Sequence, residues 1–367
     1  MGRAMRWPVL CLLLAASAVA GTPDDTGYFQ VVQAVAPHVW VLREPRFQLQ
    51  PIGNVTVVEQ ADGIVLVDAG GSPGSGRRIV DVVRKLSPKP VKAVILSQWH
   101  GDKVQGLSEI LKAWPAARTI ATEATKAHLS DPATMNSPAT PDAERNAKLL
   151  ASIAGTAAAM REGAAKATEP QEREGFARAA AMFDQYGRDM DGALTLAPRE
   201  GFAGTFDLPD ATAPVQALFM GRADTDGDAV VWLPRQKVLV AGEIVILPFP
   251  YGYECYPAEW ITVLDKLRGF DFRFLVPGHG APQTDRVQID RIAAVLKDAR
   301  AQVAPLAAQG LPLAEVQAKV DLSVHAKALC GPDAWCRRWF KAFFVDPVIV
   351  SAFKEAKGEP ILQNLGG

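Results

Sequence analysis

Five stretches of this 367-residue chain set polar or acidic side chains directly after apolar, β-branched runs. They are Asp68 after residues 63–67, Gln98-Trp99-His100-Gly101-Asp102-Lys103 after 91–97, Asp224 within 221–228, Glu243 after Gly242, and His279 within 277–280. Loops at strand ends are where a rigid sheet presents functional groups. Histidine is scarce: the chain has five, so a histidine-based metal centre must draw on His38, His100, His128, His279 and His325. Only His100 and His279 fall in these stretches. His38 beside a strand, His128 on an Ala-rich helix and His325 in the tail read as ordinary surface or core residues.

The elements that must position these groups follow from periodicity. Residues 39–42, 54–59 and 63–68 read as short strands broken by Gly, Pro and Asn. Residues 75–86 place Ile79, Val82, Val83 and Leu86 at helical spacing, and 91–96 form a buried strand. Later strands are expected at 215–220, 229–233, 238–241 and 272–276, with a helix over 257–267. Two β-rich halves punctuated by helices suggest two sheets covered by helices on the outside. Between them, residues 123–188 are rich in Ala, Glu, Arg and Lys. Pro170 divides this segment into two helical stretches, and Phe176, Ala180 and Phe183 share a face, so a helical hairpin is expected, as a lid or as a covering layer. After Asp285 the chain is helical, anchored by Trp335, Trp339, Phe340, Phe343 and Phe344.

Lys and Arg number 39 against 40 Asp and Glu, so no basic field exists to hold nucleic acid or an anionic membrane. With 49% hydrophobic residues the chain is globular rather than disordered. The first twenty residues run from Arg3 and Arg6 through an apolar core to Ala18-Val19-Ala20, the order of a cleavable secretory signal, and no later run is long enough to span a bilayer. A secreted or periplasmic product starting at Gly21 is expected. In that oxidising compartment Cys330 and Cys336 form the natural disulfide, and Cys255 is left as a free thiol without an adjacent His to activate it.

In this order and at these separations, the five stretches resemble the metallo-β-lactamase-fold hydrolases, a likeness that covers residues from about 39 to about 285. The resemblance implies an αββα sandwich with one or two metal ions at one edge, here with a helical insertion over about 123–190 and a helical C-terminal extension over 285–367. The main domain would span 21–284, after a signal peptide over 1–20. The family's His-x-His-x-Asp-His reads here as Gln98-Trp99-His100-Gly101-Asp102-Lys103. Its next His aligns with Asp224, because Thr225, Gly227 and Asp228 follow. Its bridging Asp falls on Glu243 and its last His on His279, while Asp68 matches an Asp that orders the ligand loop.

The implied ligand set is therefore Gln98, His100, Asp102, Asp224, Glu243 and His279, with Asp102, Lys103 and His279 as the catalytic candidates. If these residues meet, Asp102, Asp224 and Glu243 contribute three negative charges and Lys103 one positive, which leaves a net −2 that one divalent ion cancels. At an effective dielectric of about 20, a contact of about 4 Å between Lys103 and a carboxylate is worth about 4 kcal/mol, so the ammonium can stand in for a second metal. The expected enzyme holds one divalent metal, zinc first, with manganese and iron as alternatives, on His100, Asp224 and Gln98, with Glu243 as a further ligand. Its metal-bound hydroxide would attack an ester, amide or lactam carbonyl of a small-molecule substrate, with Asp102 orienting the water and Lys103 steadying the oxyanion. The competing reading is a metal-free pseudo-enzyme or binding protein using the same cleft. A mononuclear iron centre acting on dioxygen or a persulfide uses the same ligands. The aromatic loop 248–256 is expected to rim the pocket or to pack on the following helix through Trp260.

Overall fold

Strand residues that are apolar on both faces need cover on both, and the strand Ile64–Val67 shows how that is met. Val65 and Val67 point into a layer shared with Val231, Val238 and Val240, while Ile64 and Leu66 point the other way, onto Ile79, Val83, Leu107 and Ile110. The computed structural model describes residues 28–47, 49, 52–131 and 137–363. The expected signal segment lies outside the described residues.

The first half runs β1 (Val31–Ala36), β2 (Val39–Arg43), β3 (Val55–Glu59), β4 (Ile64–Val67), α1 (Pro73–Leu86), β5 (Val91–Ile95), α2 (Gly101–Val104), α3 (Leu107–Ala113) and β6 (Arg118–Thr122). Helices α4 (Glu123–Ser130), α5 (Ala143–Lys166) and α6 (Pro170–Asp189) follow, then β7 (Glu200–Phe202). These seven strands form one sheet in chain order, antiparallel from β1 to β4 and parallel from β4 to β7. The second half supplies β8 (Thr205–Leu208), β9 (Val215–Phe219), β10 (Ala229–Leu233), β11 (Val238–Gly242), α7 (Pro257–Arg268) and β12 (Phe274–Pro277). They make a five-stranded sheet ordered β12-β11-β10-β9-β8, parallel only between β11 and β12. The tail is α8 (Val287–Ala308), α9 (Leu313–Lys319), α10 (Ser323–Cys330), α11 (Ala334–Phe340), a π-helical turn Lys341–Val345 and α12 (Asp346–Lys357).

Valines dominate the layer between the sheets, and helices cover both outer faces, so the architecture is the expected αββα sandwich with a helical insertion and tail. Strands β1, β6, β7 and β8 add to those expected, and the last strand sits slightly later than 272–276. In α6, with Pro170 in its first turn, Phe176 packs on Trp335 of α11 at 4.9 Å between ring centroids, which docks the hairpin of α5 and α6 on the C-terminal extension. Cys330 and Cys336 are disulfide-bonded across the turn between α10 and α11, and Cys255 is a buried free thiol. No helix among the described residues is long and apolar enough to cross a membrane.

One packing contact reaches the functional edge directly. Trp260 of α7 is wholly buried, and its indole N–H donates to the carbonyl of Ile244, next to Glu243, at 3.1 Å. Trp260→Ala is expected to lower the unfolding free energy by about 3–5 kcal/mol, measured by urea denaturation.

Candidate metal centre

All five stretches converge because β4, β5, β11 and β12 end at one edge of the sandwich, where the turn from β9 to β10 also lies. Asp68, which leaves β4 with φ of +69°, turns its carboxylate across to the exit of β5. Its Oδ1 accepts from the Ser97 backbone N–H at 2.7 Å and its Oδ2 from the Ser97 hydroxyl at 2.9 Å. Burial pushes Asp68 up to about 7. The same Ser97 accepts the Ala229 N–H through its carbonyl at 2.7 Å, which joins the loop of the first sheet to β10 of the second. Asn54 makes a second tie at the start of β3: its amide donates to the carbonyls of Pro277 at 2.9 Å and Gly280 at 2.8 Å, holding the His279 loop.

Lys103 is the centre of the arrangement. Its side chain has no solvent exposure, and its Nζ lies 2.5 Å from Glu243 Oε1, 3.1 Å from Asp102 Oδ2 and 2.9 Å from the Gly278 carbonyl. The ammonium thus donates to one carbonyl and is ion-paired with two carboxylates. Burial opposes the charged form, but Asp102, Glu243 and Asp68 outweigh it and hold the lysine above its ordinary value. Reciprocally, Lys103 and His279 overcome burial and hold Asp102 below the usual carboxylate range. His279 Nε2 stands 3.0 Å from the same Asp102 oxygen and 3.4 Å from Glu243 Oε1. The space is filled tightly: a Cβ on Gly53 would sit 2.0 Å from Lys103 Nζ, and one on Gly278 would sit 2.2 Å from Glu243 Oε1.

Asp102, Glu243 and His279 could converge on a metal by their own ligand atoms. The Lys103 ammonium stands between the two carboxylates and already supplies positive charge to this group. Gln98 and Asp224 have no solvent exposure, and both side-chain polar atoms of each lack a hydrogen-bond partner. His100 Nδ1 lies 3.6 Å from Asp224 Oδ2, and the imidazole is 26% exposed. Burial, then Asp228, Glu243 and Asp102, push Asp224 well above its ordinary value, and burial pushes His100 down to about 4. A neutral imidazole beside a buried carboxyl group without a hydrogen-bond partner offers donors of the kind divalent cations take, and the unpaired Gln98 amide is a further donor from the same loop as His100.

The profile of the metallo-beta-lactamase superfamily matches residues 50–279. The chain belongs to that superfamily. Among its members, the linear primary-alkylsulfatase of Pseudomonas sp. (strain ATCC 19151) is 26% identical over 305 residues, 77% of this chain and 52% of that one. The metallo-beta-lactamase type 2 of Bacillus cereus is 21% identical over 266 residues, 70% of this chain and 78% of that one. The solved stereoselective inverting sec-alkylsulfatase Pisa1 from Pseudomonas sp. superposes with a TM-score of 0.57 at 18% identity, covering 88% of this chain and 50% of its own. The chain thus spans about half the length of the alkylsulfatases it matches. These superfamily homologues are hydrolases.

Three contributors, His128, Gly53 and Asn54, were not among the expected site residues. His128 of α4 holds both Asp226 oxygens at 3.0 Å, and its ring lies 5.1 Å from Trp99, whose indole in turn meets the His100 ring edge-on at 4.2 Å. Rather than an ordinary surface histidine, it braces the Asp224 loop against the His100 loop. Gly53 and Asn54 contribute through close approach and backbone acceptors; a Gly-Asn pair just before a β-branched strand is the one hint the sequence offers. Tyr251 of the aromatic loop meets the His279 ring edge-on at 5.8 Å, and Phe249 of the same loop shares a buried cluster with Trp260.

Removing the ammonium would strand two buried carboxylates. Lys103→Met is expected to lower stability by about 3–5 kcal/mol in urea denaturation, and adding Glu243→Gln to recover part of that loss.

Proposed function

We propose that this chain is a hydrolase built around one divalent metal held by Gln98, His100 and Asp224, with the Lys103 ammonium in place of a second ion. The observation that carries the reading is the contrast in charge pairing between the two halves of the site: the Lys103 ammonium pairs with both Asp102 and Glu243 and donates to the Gly278 carbonyl, whereas the buried polar atoms of Gln98 and Asp224 have no hydrogen-bond partner. A divalent ion there supplies Lewis acidity and lowers the pKa of a water it binds from about 15.7 towards about 7. Zinc is the first expectation, and the carboxylate and amide donors widen the choice to manganese or iron.

The remaining work falls to the chain's own residues. Asp102 has its Oδ2 held between Lys103 and His279, which leaves Oδ1 to orient the attacking water. His279, 12% exposed with Nε2 3.0 Å from Asp102 Oδ2, is the candidate to pass a proton to the leaving group from its imidazolium form, returning to neutral imidazole. Buried and paired with Asp102 and Glu243, Lys103 fixes these two carboxylates in this reading rather than steadying an oxyanion. The reaction is addition of water across an ester, with amide and lactam carbonyls as further candidates. Similarity to the linear primary-alkylsulfatase makes alkyl sulfates the first esters to assay. The disulfide fits an oxidising, secreted or periplasmic location.

Metal analysis of protein purified without chelator tests the reading. About one ion per chain is expected, His100→Ala should abolish it, and Lys103→His should raise it above one. Content near zero that added zinc, manganese or iron does not restore would leave a metal-free binding protein as the better description.

A further inference from the structure

A histidine that hands over a proton from one ring nitrogen is oriented by the hydrogen bond at the other. In His279, Nε2 stands 3.0 Å from Asp102 Oδ2, whereas Nδ1 has no hydrogen-bond partner among the described residues. Beside the ring lies a cavity of about 20 Å³, more than the roughly 10–15 Å³ that one water needs and too small for much else. Neither Asp102 nor Glu243 lines it; His279 does, together with Glu44, Asn54 and Tyr251. Ile52, Ile246 and Leu247 supply apolar walls, and Arg46 reaches the cavity from an exposed position.

The polar side chains around this cavity have groups to spare. Glu44, buried just after β2, accepts the Phe29 N–H at 2.8 Å through Oε1, and its Oε2 has no partner among the described residues. Asn54 spends its amide N–H groups on the carbonyls of Pro277 and Gly280 and keeps Oδ1. The Tyr251 ring meets the His279 ring edge-on at 5.8 Å, and no described residue takes its hydroxyl. None of these unpartnered atoms is sealed from water. Burial pushes Glu44 up to about 7, against the Phe29 N–H and the charge of His279, which favour its ionised form. Burial and the surrounding acids hold Tyr251 above its ordinary value, so the phenol keeps a proton to donate. A buried water takes two to four such partners. Here Glu44 Oε2 and Asn54 Oδ1 accept, while the Tyr251 hydroxyl and a protonated His279 Nδ1 donate, which matches the two donor and two acceptor positions of one water.

We infer that Glu44 and Tyr251 hold one water against His279 Nδ1, and that Glu44, acting through this water, positions the His279 imidazolium for proton delivery. The inference rests on the hydrolase reading for the destination of the proton; the water site itself stands on the cavity. As the ester bond breaks, its electron pair goes to the leaving oxygen, which takes the Nε2 proton; Nδ1 keeps its own proton on the water, and neutral imidazole remains. Glu44 touches no reacting atom and is a positioning residue.

Glu44→Gln keeps the side chain's shape and an acceptor for Phe29, but turns an amide N–H on the water where an acceptor stood. At about pH 8, above the value for Glu44, it should lower kcat for ethyl hexanoate about tenfold or more with KM changed by about twofold or less, because the ethoxide needs a proton to leave. The loss should shrink to about twofold for 4-nitrophenyl hexanoate, whose phenolate leaves unaided, with thermal unfolding as the folding control. Tyr251→Phe, which removes one donor to the water, should show the same split between the two esters. Losses equal for both esters, or no loss on either, overturn the positioning role, since damage to the fold alone does not distinguish leaving groups. A crystal structure of the wild type should show a water within about 3.2 Å of Glu44 Oε2 and His279 Nδ1, and its absence overturns the inference even if the esters turn over. If neither ester is hydrolysed, the hydrolase reading fails and crystallography alone decides the water site: a water on both atoms that is lost in Glu44→Leu upholds it, and one that persists there overturns it.

Discussion

The ammonium of Lys103 is the contact on which this edge of the molecule depends, because its partners come from both sheets. Asp102 and Lys103 leave β5 of the first sheet, whereas Glu243 and Gly278 leave β11 and β12 of the second. A buried cation with one acceptor would cost more in lost hydration than it returned; with two carboxylates and a carbonyl it becomes a cross-link between layers. Gly53 and Gly278 are what allow it, since any side chain at either would occupy the space of the charged groups. Unlike a metal ion, this cation is covalently part of the chain and cannot be lost to a chelator.

Fixing one positive charge in the centre changes what the neighbouring ligands can do. Asp102 is drawn towards Lys103 and held ionised, while Asp224, lacking any such partner, is driven towards its neutral form by burial and by the surrounding carboxylates. The two acids therefore separate in character although both stand at the same edge. His100, kept neutral by burial, completes the contrast. One side of the site is self-neutralised and rigid; the other is polarisable and waiting for charge.

The sandwich was legible because β4, β10 and β11 are continuous β-branched or apolar runs and β5 is apolar apart from Lys92, a pattern that survives without any knowledge of partners. Strand β6, Arg118–Thr122, escaped because Arg and Thr interrupt its apolar residues and Pro115 sits just before it. The short strands β7 and β8 have three and four residues, too few for any period to register. Motif positions identified Lys103 beside the acids, yet the third acceptor is a backbone carbonyl, which no residue type announces. His128 was hidden for a different reason: its partner Asp226 lies 98 positions away, and only the fold brings α4 under that loop.

That same helix sets the seam along which the insertion can be exchanged. The hydroxyls of Thr122 and Thr125 donate to the Gly227 carbonyl at 2.7 and 2.9 Å, so α4 is bolted to the Asp224 loop even though it begins the insertion by sequence. The α5 and α6 hairpin docks on Trp335 and, through Leu149, Ile153 and Tyr186, on the core of the first half. Modular exchange between homologous chains therefore has a natural crossover point after Ser130, not at the end of β6: a recombinant joined there keeps its ligand loop braced while acquiring a foreign hairpin, and one joined earlier inherits a hairpin at the expense of the brace.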